Sequence, residues 1–332
     1  MPLRIGASGI HLIESDGSYP QWQSNHEIAI TKVVDGSPVV MSCARQPTGV
    51  SYSWSDPTQV NNFTWGGFQF CESATTGTGF GYNYYITTAT DTANQRWAPT
   101  EPGTSTDQLP YTLTSNVLAQ GLNSADGTEM VRIHQGGFWL QPLRWQSTPA
   151  APALNKRLVA ETITTINYKI GMGGNDHIIS IDSSVIVPAD PIVQAATLMS
   201  FIPFYHFNPN YSGGPSFDTQ EWVNFTTGDT RVYSAGETST TEVVICRRAD
   251  NAAAMATVYG PGSLGDSGFY KGRSGGGVFG HTVAYGFPVK TYPNGIPAGV
   301  AQFPAALCYG TRADVITAVV TAYANLQPAV YQ

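Results

Sequence analysis

The sequence predicts an all-β protein, a large antiparallel β-sandwich with one short C-terminal helix; a double jelly roll is the alternative. Three observations carry this. Apolar and polar residues alternate with a period of two through long stretches. Gly and Pro number 35 and 22 among 332 residues, and they sit between the alternating runs as turn signals. Helical spacing with a start signal occurs near the C-terminus and hardly elsewhere.

Taken along the chain, Asp16-Gly17, Asp35-Gly36 and Asp126-Gly127 mark hairpin turns, and Asn294-Gly295 repeats the signal near the end. Gly77-Thr78-Gly79-Phe80-Gly81 leads into Tyr-rich strand sequence rather than a helix, so it is no dinucleotide-binding loop. Pro-punctuated loops are expected at 98–110 and 147–153. Residues 162–170 (TITTINYKI) and 177–187 flank a Gly-rich turn and predict a long hairpin. In its second strand Ile179, Ile181, Val185 and Val187 share one face, opposite Ser180, Asp182 and Ser184.

Thr241 to Arg248 and Ala254 to Tyr259 predict a further strand pair around Ala249-Asp250-Asn251. Gly260 to Gly277 reads as a long loop. Its Gly265-Asp266-Ser267-Gly268 echoes a serine-protease nucleophile loop, but the echo stops at Phe269. Thr311-Arg312-Ala313-Asp314 has capping-box form, and Val315, Val319 and Leu326 follow at helical spacing. Strands on both sides of 147–157 look alike. The chain is therefore read as one domain over 1–332, with a division into two β halves near 147–157 as the option.

Charge is scarce. Asp, Glu, Lys and Arg make up 12% of the chain, against roughly 25% in ordinary soluble domains. The net charge is −7 with only 16 basic residues, and no basic stripe exists for a phosphate backbone, which argues against nucleic acid. No run approaches the ~18 apolar residues of a membrane helix, so no membrane partner is expected. Met1-Pro2-Leu3-Arg4 leads straight into polar, strand-like sequence, without a secretory leader pattern. Cys43, Cys71, Cys246 and Cys308 show no zinc spacing, and neither a metal nor another cofactor is expected. Cys43 with Cys71 and Cys246 with Cys308 would be the most local disulfides; buried free thiols are the alternative.

The second half has a recognisable order. Gln141-Pro142-Leu143-Arg144-Trp145 is followed by a strand with Glu161, by the strand at 177–187, and by a strand, an Asp250-Asn251 turn and Ala254 to Tyr259. Tyr309-Gly310-Thr311-Arg312-Ala313-Asp314-Val315 then opens the helix. This order, over about residues 130–326, resembles the C-terminal portion of β-supersandwich proteins of the galactose-mutarotase-like superfamily, many of which act on or bind carbohydrates. No catalytic residue of that superfamily maps residue by residue onto this chain.

Two patches combine ionisable groups with aromatics. In the first, Arg132, His134, Gln135, Trp139, Arg144 and Trp145 lie close in sequence. Indole faces stack on sugar C–H faces, Arg and Gln bind hydroxyls or a carboxylate, and His serves as a base near neutral pH. The second runs from Tyr205-His206 to Glu221-Trp222. The expected catalytic groups are His134, Tyr205, His206, Arg144 and Glu221, and the expected substrate contacts are Arg132, Gln135, Trp139, Trp145 and Trp222. These types suit β-elimination at a uronate better than the carboxylate pair of glycoside hydrolysis. A polysaccharide lyase is thus expected first and a hydrolase next, with carbohydrate as partner in an extracellular or cell-surface setting. A self-assembling structural protein, such as a viral coat subunit, and a non-catalytic lectin-like module are the alternatives, and homo-oligomerisation stays open.

Overall fold

Strand pairing around one Gly-rich turn organises the molecule. The computed structural model describes residues 11–12, 28–43, 60, 62–72, 82–88, 96–97, 115–139, 158–187, 196–203, 219–264, 268–273, 283–287, 289–292 and 298–330. The strands in chain order begin with β1 (His11–Leu12), β2 (Ile28–Val34), β3 (Ser37–Cys43), β4 (Asn62–Trp65), β5 (Phe68–Glu72), β6 (Tyr82–Thr88) and β7 (Arg96–Trp97). Next come β8 (Ser115–Leu122), β9 (Glu129–Trp139), β10 (Leu158–Met172), β11 (Asn175–Val187), β12 (Ala196–Pro203), β13 (Thr219–Asn224) and β14 (Thr230–Val232). The series closes with β15 (Thr238–Ser239), β16 (Glu242–Arg247), β17 (Ala254–Tyr259), β18 (Phe269–Arg273), β19 (Val283–Phe287), β20 (Val289–Tyr292) and β21 (Gly299–Gly310), followed by helix α1 (Arg312–Asn325).

Ten strands form one antiparallel sheet in the order β1-β8-β9-β10-β11-β21-β17-β16-β13-β14. Smaller sheets have the orders β2-β3-β4-β5, β20-β12-β6-β7 and β15-β18-β19. The all-β class with one C-terminal helix and large antiparallel sheets is the one the periodicity predicts. The β10–β11 hairpin pairs Ile163 with Ile186 through Ile170 with Ile179. Ile179, Ile181 and Val185 face the core, while Asp182 is exposed. Strands β9 and β10, which flank residues 147–157, pair with each other from Trp139–Leu158 to Glu129–Lys169.

Helix α1 starts where the capping box places it. The Thr311 side chain accepts from the Asp314 backbone N–H, and the Asp314 carboxylate accepts from the Thr311 N–H. Val315, Ala318, Val319 and Ala322 are buried where the helix packs on β17, β21 and β11. The β-branched run is helical here because its apolar face covers the sheet, and that burial outweighs the small propensity deficit.

Two expectations change. The stretch read as a loop from Gly260 to Gly277 contains β18, whose Tyr270 is 2% exposed. Its Gly content hides a strand that is held by pairing with β15 and β19. Cys246 and Cys308 are buried free thiols, so they are not bridged, and Cys43 is buried as well. The side chain of Cys71 lies outside the described residues. No described helix is long and apolar enough to cross a membrane.

Candidate functional site

A cleft of about 460 Å³ opens where β13, β15, β17, β18 and the end of α1 meet. Each element brings an aromatic ring or a hydroxyl group. Phe225 follows β13, Tyr259 ends β17, Phe269 and Tyr270 open β18, and Tyr323 lies in the last turns of α1. Thr238 and Thr240 stand at the rim, both exposed. Phe225 and Tyr323 stack with centroids 4.0 Å apart, and Tyr259 and Tyr270 lie 5.6 Å apart. Tyr259, Tyr270 and Phe225 are buried, whereas Phe269 and Tyr323 are half-buried and present surface to a ligand.

One wall of the cleft is pinned by close backbone approach. The Gly260 N–H donates to the Pro304 carbonyl, and the Ala329 N–H donates to the Pro261 carbonyl. A Cβ at Gly260 would lie 2.1 Å from the Gln327 carbonyl oxygen, so a side chain there would displace the C-terminal segment. The hydroxyl of Tyr270 accepts the Tyr259 N–H at 2.8 Å. Burial pushes the Tyr270 phenol well above the usual tyrosine range. Among the described residues the lining holds no Asp, Glu, Lys, Arg or His. Such a surface offers ring faces, hydroxyls and backbone groups, which suits an uncharged, hydroxyl-rich ligand.

The sequence-predicted residues fall in different places. Arg132 is wholly buried, and its Nε donates to Gln120 Oε1 at 3.1 Å. His134 and Gln135 lie on β9 opposite Thr164 and Ile163 of β10, and Trp139 lies opposite Leu158. The side chains of these three, and Arg144, Trp145, Tyr205 and His206 entirely, lie outside the described residues. Glu221 is buried on β13 and accepts from Arg247 Nε at 3.0 Å and from Arg312 Nε and Nη2 at 2.6 and 2.9 Å. Trp222 faces the other way. Its indole N–H donates to Glu237 Oε2 at 2.8 Å, and the Arg231 guanidinium lies over its ring at 5.2 Å. The structure thus places Glu221 and Trp222 on opposite faces of one strand rather than on one surface.

A second polar grouping was invisible in the sequence. Asp35, in the β2–β3 turn at φ 50°, meets His177 of β11 with Oδ2 2.8 Å from Nε2. His177 Nδ1 lies 3.1 Å from the Tyr309 carbonyl oxygen. Gly310 has φ +139°, and a Cβ there would lie 2.7 Å from His177 Nδ1 and 2.8 Å from Asp314 Cβ. Asp35, His177 and Asp314 bring nitrogen and oxygen atoms within 4.8 Å of one another. Both ring nitrogens face oxygens, however, and Asp314 Oδ2 is taken by the Thr311 N–H and hydroxyl. These contacts tie the β2–β3 turn, β11, β21 and the start of α1 together. The tie spans a separation of 142 residues, which no local spacing reveals.

No protein-family model matches the chain, and no curated protein matches it in sequence. Solved structures similar to it include a galactose mutarotase related enzyme from Lactobacillus acidophilus, at 9% identity and a TM-score of 0.43, covering 91% of this chain and 100% of that one. A galactose mutarotase-like protein from Lactobacillus casei has 10% identity and a TM-score of 0.40, covering 85% and 99%.

Proposed function

We propose that this chain binds carbohydrate and that the ligand seats in the aromatic cleft beside the end of α1. The observation that carries the reading is the cleft's lining: five aromatic residues with threonine hydroxyls at the rim and, among the described residues, no Asp, Glu, Lys, Arg or His. Ring faces stack on the C–H faces of a sugar, and hydroxyls and backbone groups exchange hydrogen bonds with its hydroxyls. The volume of about 460 Å³ falls within the roughly 300–1,000 Å³ of ligand pockets. An aromatic-rich chain with little charge supports the same reading, and the setting that goes with it is extracellular or cell-surface, where polysaccharides are met.

Binding to a glycan array, followed by calorimetry on the best ligand, tests the proposal. Phe269→Ala and Tyr323→Ala, at the two half-buried rings, are expected to weaken binding at least tenfold each. Absence of binding to every neutral and acidic glycan, or binding untouched by both substitutions, would sink it.

The finer reading is a polysaccharide lyase, with a glycoside hydrolase next. It rests on the residue types at His134, Arg144, Tyr205 and His206. For Glu221 an acid–base role would require giving up three charge-assisted hydrogen bonds to Arg247 and Arg312. Absorbance of an unsaturated uronate product reads the lyase step, and release of reducing ends reads the hydrolase step. Turnover lost in His134→Ala and His206→Ala, with glycan binding retained, is the expected result. Binding without any turnover leaves the lectin-like function.

A further inference from the structure

We infer that Tyr270 decides which sugars the cleft accepts, by donating its buried phenolic hydrogen to an uncharged oxygen on the inserted edge of the ligand. This role rests on the cleft being a carbohydrate site. It adds a specificity-determining residue and the chemical group that this residue reads.

The phenol is held in place from several sides. Tyr270 lies on β18, opposite Ser239 of β15 and Gly286 of β19. It lines the cleft and is 2% exposed. Its ring lies 5.6 Å from that of Tyr259 and 6.2 Å from that of Phe225. The hydroxyl oxygen sits against the wall formed by residues 259–262, where it accepts the Tyr259 N–H at 2.8 Å. Strand β16 pairs with β17 at Ala254 and Met255. At Tyr259 the phenol stands where a ladder neighbour would, which fixes its oxygen at the cleft wall.

A phenol accepts through its oxygen and donates through its O–H. The Tyr259 N–H engages the oxygen. Among the described residues no acceptor lies within hydrogen-bond distance for the hydrogen. Buried donors in folded proteins are as a rule matched. The space beside this one is the cleft, which a ligand oxygen can enter. Because burial holds the phenol well above the usual tyrosine range, it stays a donor through neutral and mildly alkaline pH.

Hydroxyl and acetamido oxygens of a sugar carry the lone pairs that this hydrogen needs. A deoxy carbon at that place leaves the donor unmatched, and a site built to hydrogen-bond an oxygen rejects the analogue that lacks it. An ammonium there has no lone pair, and the described lining holds no Asp or Glu to balance its charge. The favoured ligands are therefore neutral sugars with an oxygen at one fixed carbon.

Ligand-detected NMR titrations of the full chain test this role. The probes are the methyl glycosides of glucose, galactose, mannose and N-acetylglucosamine, with their monodeoxy derivatives. A probe counts as seated in the cleft when Phe269→Ala weakens it. For a seated probe, loss of one particular oxygen is expected to weaken binding about tenfold in the parent and less than about twofold in Tyr270→Phe. The deoxy penalty is read within each variant, so a general loss of packing or stability cancels. Incorporating para-fluorophenylalanine in place of Tyr270 keeps the shape of the ring and a weak acceptor for the Tyr259 N–H but removes the hydrogen. It should erase the same penalty, and it carries the test if Tyr270→Phe does not fold. Deoxy penalties that are equal in the parent and in these variants would overturn the role and leave the cleft reading standing. Failure of every probe to seat in the cleft overturns the role too, and only a silent glycan array as well removes the cleft reading with it.

Discussion

Helix α1 touches two regions that use charge in opposite ways. At its first turn Arg312 joins Arg247 on the buried carboxylate of Glu221. Near its other end Tyr323 lies in a cleft whose described lining carries no charge. A buried carboxylate is tolerated because guanidinium forks satisfy its oxygens, and it becomes costly when a partner is removed. A neutral aromatic surface carries no such obligation and stays available for a ligand. The contrast indicates how this chain distributes a small stock of charge: the buried charges described here fix packing between elements, and the described lining of the proposed recognition surface is uncharged.

The largest expected effect tests the charged end. Glu221→Leu leaves Arg247 and Arg312 facing an apolar side chain and should lower unfolding free energy by about 3 kcal/mol in urea titrations. The arginines are partly exposed, 19% and 31% by side chain, which keeps the figure at the low end for buried pairs. Adding Arg247→Met and Arg312→Met should recover much of it. A single variant as stable as the parent would show that the cluster does not hold α1.

Next comes the neutral end. Tyr323→Ala removes the ring stacked on Phe225 and should cost about 1–2 kcal/mol of stability, alongside the tenfold loss of glycan affinity. Glu221→Leu should leave affinity nearly unchanged in whatever fraction is folded. Equal losses of affinity in both variants would erase the distinction between the two ends.

A smaller effect separates the ends by position. Thr311→Ala removes the N-cap acceptor for the Asp314 N–H and should cost about 1 kcal/mol. Amide exchange should rise in the first turn of α1, by Arg312, and not around Tyr323. The smallest expected effect is none: burial pushes the Cys246 thiol up to about 12, so it remains a thiol at pH 8. Thiol reagents followed by peptide mapping should leave Cys246 and Cys308 unmodified until the protein unfolds. Labelling in the native state would show that the core beneath α1 opens.

Much of the fold is legible in the chain. The β10–β11 hairpin shows as alternation around a Gly-rich turn, the β16–β17 pair as two apolar runs around Asp250-Asn251, and α1 as a capping box followed by helical spacing. Strand β18 is not legible, because Phe269–Arg273 lies in Gly/Ser-rich sequence and becomes a strand through its neighbours β15 and β19. The cleft is less legible still. Its rings come from residues 225, 259, 269, 270 and 323, which share no motif. Glu221 stands out in sequence as a carboxylate beside Trp222, yet its partner Arg312 is 91 residues away. His177 shows no partner at any telling spacing, because Asp35 and Tyr309 reach it across 142 and 132 residues.

From residue order alone follow the all-β class, the principal hairpins, the capped C-terminal helix and the uncharged, aromatic character of the chain. These depend on side-chain period, turn chemistry and composition, each of which acts over a few neighbouring residues. Which strands neighbour one another, which carboxylate meets which guanidinium, and which rings close a cleft belong to the folded molecule. Those pairings bring distant segments together, and the free energy that selects them comes from burial and register across the whole sheet, with no trace in local spacing.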